Sequence, residues 1–362
     1  MTLTPITRLR QWMQPRGYTC LLVRTRANFA WLTGGKDNHI VLASEQGVAD
    51  LLVFATRIVC LTLAMEGQRI AEEELANFEV DVIAPPWYTG LEAAREDLLA
   101  GERVAADVPH PATTFVGEEL MQLRRTLDPP QLEQYRDVCT RAALALEAVA
   151  MRIERGMTEF DIAGLISAAC LRSECTPGVI LVATDERIAR YRHPIPTARR
   201  MVQYAMLVVC AEKYGLYANL TRFVHFGPLS AQLADMRDKC AYIDVCMNVA
   251  TRPGATVATV FEAALSAYHE TSIAGEWEKL HLGGPTGYAP REFLATRTRE
   301  DRICVNQVYT WNPSATGFKS EDTLLVAPIA NEYLTHTGNW PYTSIKMDGQ
   351  THLRPDVLVR PF

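Results

Sequence analysis

Hydrophobic and polar positions along the chain change period several times. Residues 5–17 read as an amphipathic helix closed by Gly17. Short apolar runs follow and predict strands at Cys20–Val23, Phe29–Leu32, Ile40–Leu42, Asp50–Phe54, Arg57–Thr62 and Val80–Ile83. A helix fits Gly67–Asn77. Short strands alternating with helices imply an α/β domain. Asp128-Pro129-Pro130 then interrupts the pattern, because two prolines disfavour continuing any helix. The predicted domains are therefore 1–127 and 128–362.

Gln131–Arg155 reads as one long helix stopped by Gly156. Thr158-Glu159-Phe160-Asp161 is a capping box that opens a second helix, running to about Cys170. The same device returns at Gly254-Ala255-Thr256, ahead of another helical run. Gly156 matches Gly254 and Thr158 matches Thr256, so the second domain reads as two related α/β halves. Near its end, Val305–Ser314 and Gly317–Val326 form two strand-like runs joined by a Pro/Ser/Gly turn, an antiparallel hairpin. Lys319, Glu321 and Asp322 interrupt its apolar residues, and charges there need pairing or water. Lys319 and Glu321 lie two residues apart, so on a strand both point to one face.

Composition narrows the function classes. The chain has 362 residues, 48% hydrophobic and 22% charged, enough for two domains with real cores. A formal charge of −6 argues against a nucleic-acid or anionic-membrane partner. The polar opening, with Arg8, Arg10 and Arg16, lacks the apolar stretch of a signal peptide. No apolar run approaches the roughly 20 residues that span a bilayer. Nine cysteines show no C-x-x-C pair, which suits buried thiols in a reducing cytoplasm rather than zinc or disulfides.

Several stretches together resemble the pita-bread hydrolases, the family of creatinase, aminopeptidase P, prolidase and methionyl aminopeptidase. Asn28-Phe29-Ala30-Trp31-Leu32-Thr33-Gly34 is similar to an N-terminal-domain segment of that family. Tyr217-Ala218-Asn219-Leu220-Thr221-Arg222 resembles its D-x-T-R run, His281–Pro285 its H-x-x-G-H stretch, and Glu321-Asp322-Thr323 its final E-D-T. The resemblance implies a creatinase-type N-terminal α/β domain followed by a pseudo-symmetric pita-bread domain of mixed α/β (α+β) class. It also implies five residues that bind two metal ions. At those positions stand Val208, Asn219, Pro285, Asn312 and Glu321, so one ligand of five survives. A metal pair needs several anionic oxygens. No metal and no cofactor are expected.

The resemblance leaves other chemistry in place. His193 matches a substrate-facing histidine and is the candidate acid/base, with an ordinary pKa of about 6.5 suited to proton transfer. His281 and Glu321 complete the candidate catalytic set, with Glu321 orienting His193 or activating water. Asn219, Arg222, Glu292, Asn312 and Lys319 are candidate substrate contacts; Glu292 lies eleven residues after His281, where relatives often carry a histidine. Bland readings stand beside these: a structural Lys319–Glu321 ion pair, a structural Arg222, a loop histidine at 193.

The expected function is a metal-independent, creatinase-like hydrolase, or a related acid/base enzyme, acting on a C–N bond of a small amino-acid-like molecule. The alternatives are a non-catalytic binding module and an Xaa-Pro metallopeptidase with displaced ligands. Relatives imply a homodimer, with Gly34–His39 at a shared site.

Overall fold

The computed structural model describes residues 3–362. The chain divides into two compact units, residues 1–131 and 132–362.

In the first unit, helix α1 (Pro5–Met13) starts where the Thr4 hydroxyl accepts the backbone N–H of Thr7 at 3.2 Å. It buries Leu9, Trp12 and Met13. Strand β1 (Cys20–Thr25) leads into α2 (Arg26–Thr33), then β2 (Gln46–Phe54) and β3 (Ile58–Thr62). Helix α3 (Ala64–Arg69) continues through a wider turn to Glu74 and precedes β4 (Asp81–Ile83). Helix α4 (Glu92–Leu99), β5 (Val104–Ala106), β6 (Thr114–Phe115) and α5 (Gly117–Arg124) complete the unit. The six strands form one sheet in the order β4-β3-β2-β1-β5-β6. Its core packs Leu22, Leu52, Val59 and Leu61 together.

Two strand expectations fail here. Phe29–Leu32 belongs to helix α2, not to a strand. The Thr25 hydroxyl accepts the N–H of Asn28 and starts the helix, and a four-residue apolar run buried all round has no period to distinguish helix from strand. Ile40–Leu42 is no strand either; its three side chains are exposed in a loop.

Pro129 and Pro130 begin a helix instead of merely ending one. They open α6 (Pro129–Ala150), where a missing N–H costs nothing. Asp128 accepts the N–H of Gln131 at 3.0 Å, and the Gln131 side chain accepts the N–H of Asp128 at 2.9 Å. The helix stops at Ala150, five residues short of the predicted Arg155. Then come α7 (Glu159–Arg172), β7 (Thr176–Thr184), α8 (Glu186–Arg190), β8 (Tyr204–Lys213) and β9 (Leu216–Phe226). Helices α9 (Ala231–Ala250) and α10 (Val257–Glu270) lead to β10 (Gly283–Thr286) and β11 (Val308–Trp311). The predicted hairpin follows, each side split: β11 and β12 (Ser314–Ala315) return as β13 (Phe318–Lys319) and β14 (Asp322–Leu325). Strands β15 (Glu332–Tyr333), β16 (Tyr342–Met347), β17 (Gln350–Pro355) and β18 (Val357–Arg360) end the chain.

The internal repeat is real in three dimensions. Two helices and three antiparallel strands, α6-α7-β7-β8-β9, recur as α9-α10-β10-β11-β14. The loops ahead of α7 and α10 match bond for bond. Gly156 N donates to Met201 O and Gly254 N to Ile303 O, both at 2.8 Å. Thr158 bridges Arg200 as Thr256 bridges Arg302. Thr158 and Asp161 make the predicted capping box.

The two four-stranded sheets of this unit are ordered β18-β9-β8-β7 and β10-β11-β14-β15, and β12-β13 and β16-β17 form two-stranded sheets. The four-stranded sheets meet where Asn219 N donates to Thr323 Oγ1 at 2.9 Å and Thr221 N to Glu321 O at 3.2 Å. That seam positions the candidate site.

Candidate functional site

On β9 the side chains of Asn219 and Thr221 lie on one face, and those of Leu220 and Arg222 on the other. The Thr221 hydroxyl donates to Glu321 Oε2 at 2.6 Å. Lys319 Nζ donates to the same oxygen at 2.8 Å, so the two hairpin charges share a face despite the break between β13 and β14. Arg291 donates to the other oxygen, Oε1, at 3.0 Å. All three side chains are largely buried, at 5%, 4% and 12% exposure for Lys319, Glu321 and Arg291. Burial pushes the Glu321 carboxyl up, but the Lys319 ammonium and Arg291 guanidinium outweigh it and bring it down to about 2. Glu321 is therefore ionised at any physiological pH and fully engaged.

Two imidazoles complete the cluster. His193 lies in the loop between α8 and β8, and its ring centroid is 5.8 Å from that of His281. Burial and then Lys319 lower the His193 pKa against the pull of Glu321. Burial, Arg291 and His193 bring His281 down to about 4. The backbone N–H of Gly283 donates to His281 Nδ1 at 3.2 Å, which fixes the neutral tautomer with its proton on Nε2. Both shifts favour the neutral ring.

The His193 loop is anchored from below by a carboxylate that the sequence reading passed over. Glu159, wholly buried at the start of α7, accepts Thr197 N at 2.9 Å and Thr197 Oγ1 at 2.7 Å. It also pairs with Arg187, whose second nitrogen donates to Ile195 O at 3.1 Å. Its capping-box neighbours gave it a helix-start role and hid this one.

The two asparagines are buried at the same seam. Asn219 Nδ2 donates to Thr286 Oγ1 at 3.0 Å. The side-chain oxygens of Asn219 and Asn312 have no hydrogen-bond partner among the described residues. Gly283, at φ +100°, lets the chain pass there: a Cβ would sit 2.1 Å from Thr310 O and 2.9 Å from Asn312 Oδ1.

Three expected roles change. Arg222 is not a substrate contact, because its guanidinium is buried on the far face of β9. It donates to Glu147 at 3.1 Å, Asp322 at 3.0 Å and the carbonyl of Thr335 at 2.9 Å. Asp322 in turn holds Arg354 at 2.8 Å, and Arg354 also reaches Asp244 at 2.5 Å. Glu292 closes the turn after β10, accepting Tyr288 N at 3.1 Å, while its neighbour Arg291 reaches the cluster instead. No sequence signal distinguished Arg291 from other loop arginines. Glu321 neither orients His193 nor serves as a base: its oxygens are held by Lys319, Arg291 and Thr221, and a carboxyl at about 2 takes protons poorly at neutral pH.

Residues 133–328 match metallopeptidase family M24, and residues 5–138 match the creatinase/prolidase N-terminal domain. The chain belongs to metallopeptidase family M24. None of the curated protein sequences matches it. Among solved structures, the prolidase of Pyrococcus horikoshii OT3 superposes with a TM-score of 0.78 at 16% identity, covering 92% of this chain and 98% of that one. The X-Pro aminopeptidase of Thermotoga maritima MSB8 gives 0.77 at 16% identity, with 98% and 99% covered. The N-terminal domain of the FACT complex subunit SPT16 from Cicer arietinum (chickpea) gives 0.69 at 11% identity, with 93% and 97% covered. The fold is thus the creatinase N-terminal domain followed by the pita-bread domain of M24, a family of peptidase-type hydrolases.

The M24 metal pair does not fit this centre. Val208 and Pro285 offer no donor, Asn219 and Asn312 offer neutral amides, and Glu321 is already neutralised by two buried cations. A dication beside Lys319 and Arg291 would meet repulsion with one carboxylate to offset it. Among the described residues, no group of three or more His, Cys, Asp or Glu side chains is arranged to hold a metal ion. Nor is any helix long and apolar enough to cross a membrane.

Proposed function

We propose that this M24 chain is a metal-independent hydrolase of a C–N bond in a small amino-acid-like molecule. One observation carries the reading: the His193 ring stands 5.8 Å from that of His281 at a centre whose carboxylate is locked between Lys319 and Arg291. His193 takes a proton from water as the water oxygen attacks the carbon of the C–N bond. It then returns that proton to the departing nitrogen as the bond breaks, giving an acid and an amine. Lys319 and Arg291 supply positive charge toward the oxyanion that forms, as metal ions would elsewhere in the family. The unpartnered oxygens of Asn219 and Asn312 are acceptors for a substrate N–H.

Cytoplasmic residence and a homodimer belong to the same reading. Nine free thiols suit a reducing compartment, and the creatinase-type N-terminal domain supports pairing with Gly34–His39 near a shared pocket.

The test is turnover of a panel of N-acyl amino acids, Xaa-Pro dipeptides and amidino amino acids, in chelator, for the wild type and His193→Ala. The expected result is chelator-resistant cleavage that falls by about 10²–10⁴-fold in the variant. Unchanged turnover in His193→Ala, or loss of cleavage on chelation, overturns the mechanism. The saturated Glu321, and a pita-bread neighbour whose name places it in a complex, favour one further reading: a non-catalytic binding module. It predicts ligand binding with no product from any substrate of the panel.

A further inference from the structure

Pro85-Pro86-Trp87-Tyr88 crosses from β4 to α4 on the surface of the first unit. Pro86 sits at φ −54° and ψ 141°, close to the polyproline II conformation, and one tight turn, Trp87–Thr89, follows at once. Ala64 N donates to Pro85 O at 2.8 Å and ties the segment to the start of α3. Thr89 donates to Pro86 O twice, from its N–H at 3.1 Å and from its hydroxyl at 2.8 Å. The backbone shape is therefore held from within, while the side chains stay in water. Trp87 is 67% and Tyr88 73% exposed, and their rings meet edge to face at 5.9 Å. Pro86 is exposed with them, as are Met65 and Ile83 in the adjoining α3 and β4. A tryptophan and a tyrosine side by side on a braced turn are the anchors in which interfaces concentrate their energy.

The flanks of this turn are acidic. Residues 63–100 hold nine Asp and Glu against two arginines, a local charge of −7 on a chain of −6. Glu72, Glu73, Glu79, Asp81, Glu96 and Asp97 are all exposed. We infer that Pro85–Tyr88 is a docking motif for a small protein module of the WW type, which reads a polyproline II ligand in an aromatic-lined groove, with lysine or arginine on the groove's rim. The Pro-Pro ridge supplies the ligand shape such a groove accepts, and Tyr88 supplies a second anchor. Because the ridge is already in the bound conformation, docking orders little further backbone. The acidic flanks draw in a basic rim and repel an acidic one. The inference is independent of the chemistry at His193.

The test titrates the full chain into two isolated WW domains that read Pro-Pro-x-Tyr ligands, one with a basic rim and one with an acidic rim, followed by calorimetry. The basic-rimmed domain should bind about tenfold more tightly, and the gap should shrink as salt rises. Tyr88→Ala and Pro86→Ala should each weaken binding by about tenfold, the loss of an interface anchor. Their melting temperatures should match the wild type, because both side chains are exposed. No binding to either domain, equal affinity for both rims, or equal binding by the wild type and Tyr88→Ala overturns the inference. So does a wild-type dimer that Trp87→Ala or Tyr88→Ala converts to monomer in sedimentation, since a second copy of the chain then covers the turn.

Discussion

Lys319 Nζ lies 2.8 Å from Glu321 Oε2, and this buried pair is closed on its other side by Arg291 at 3.0 Å. Removing one partner leaves the others charged and dry. Glu321→Gln should therefore destabilise the second unit by about 3–5 kcal/mol in urea unfolding. Combining it with Lys319→Met should recover part of that loss, since the double change removes a charge of each sign. Equal stabilities of the single and double variants would show that the pair is not coupled.

Stability should fall with acid in two steps, and the signs follow from the direction of each shift. His281 titrates at about 4 in the folded chain against an ordinary 6.5, so the unfolded chain binds more protons between those values. Its contribution is present above pH 6.5 and is lost as the pH falls through 4. Burial first, then Arg291, His193 and Lys319, hold the ring neutral against the pull of Glu321. Glu321, at about 2 against an ordinary 4.5, contributes above pH 4.5 and is lost as the pH falls through 2. His281→Gln should flatten the first step and spare the second, as read from melting temperatures across a pH series.

Metal content is the direct check on the donor set. Mass spectrometry of the purified protein should find far less than one Mn, Fe, Co or Zn per chain. Chelation should leave the melting temperature unchanged, because a ligand that binds only the folded state raises it by mass action and none is removed here. Two metals per chain would restore the peptidase reading.

Glu159 positions the His193 loop through Thr197 and Arg187. Glu159→Gln keeps the shape and loses the ion pair. Once a substrate is in hand, kcat should fall about tenfold or more with KM nearly unchanged, as expected for a misplaced acid/base group. Equal changes in stability and none in kcat would mark Glu159 as purely structural.

Thr158→Ala tests the repeat. The capping box joins Thr158 to Asp161 at 2.7–3.0 Å, so its loss should cost about 1 kcal/mol. Thr256→Ala should cost a similar amount, because Thr256 accepts Thr259 N at 3.2 Å in the equivalent turn. A large difference between the two would mean that the halves no longer share their local energetics.

Local pattern was enough for much of this molecule. The Gly-x-Thr devices at 156–158 and 254–256, the hairpin around Pro313, and the shared face of Lys319 and Glu321 all follow from short-range geometry: a cap reaches three residues, and a strand alternates every two. The donor chemistry of Val208 and Pro285 is equally a matter of sequence, because valine and proline carry no donor in any fold. Tertiary structure decided the rest. Phe29–Leu32 became a helix because burial on every side erases the period that separates helix from strand. Arg222 went to Glu147 and Asp322, and Arg291 went to Glu321, through pairings separated by 30 to 100 residues. Charge type and spacing along a chain say that such residues need partners; only the packed sheets determine which partner lies within reach and which side chain is left facing the pocket.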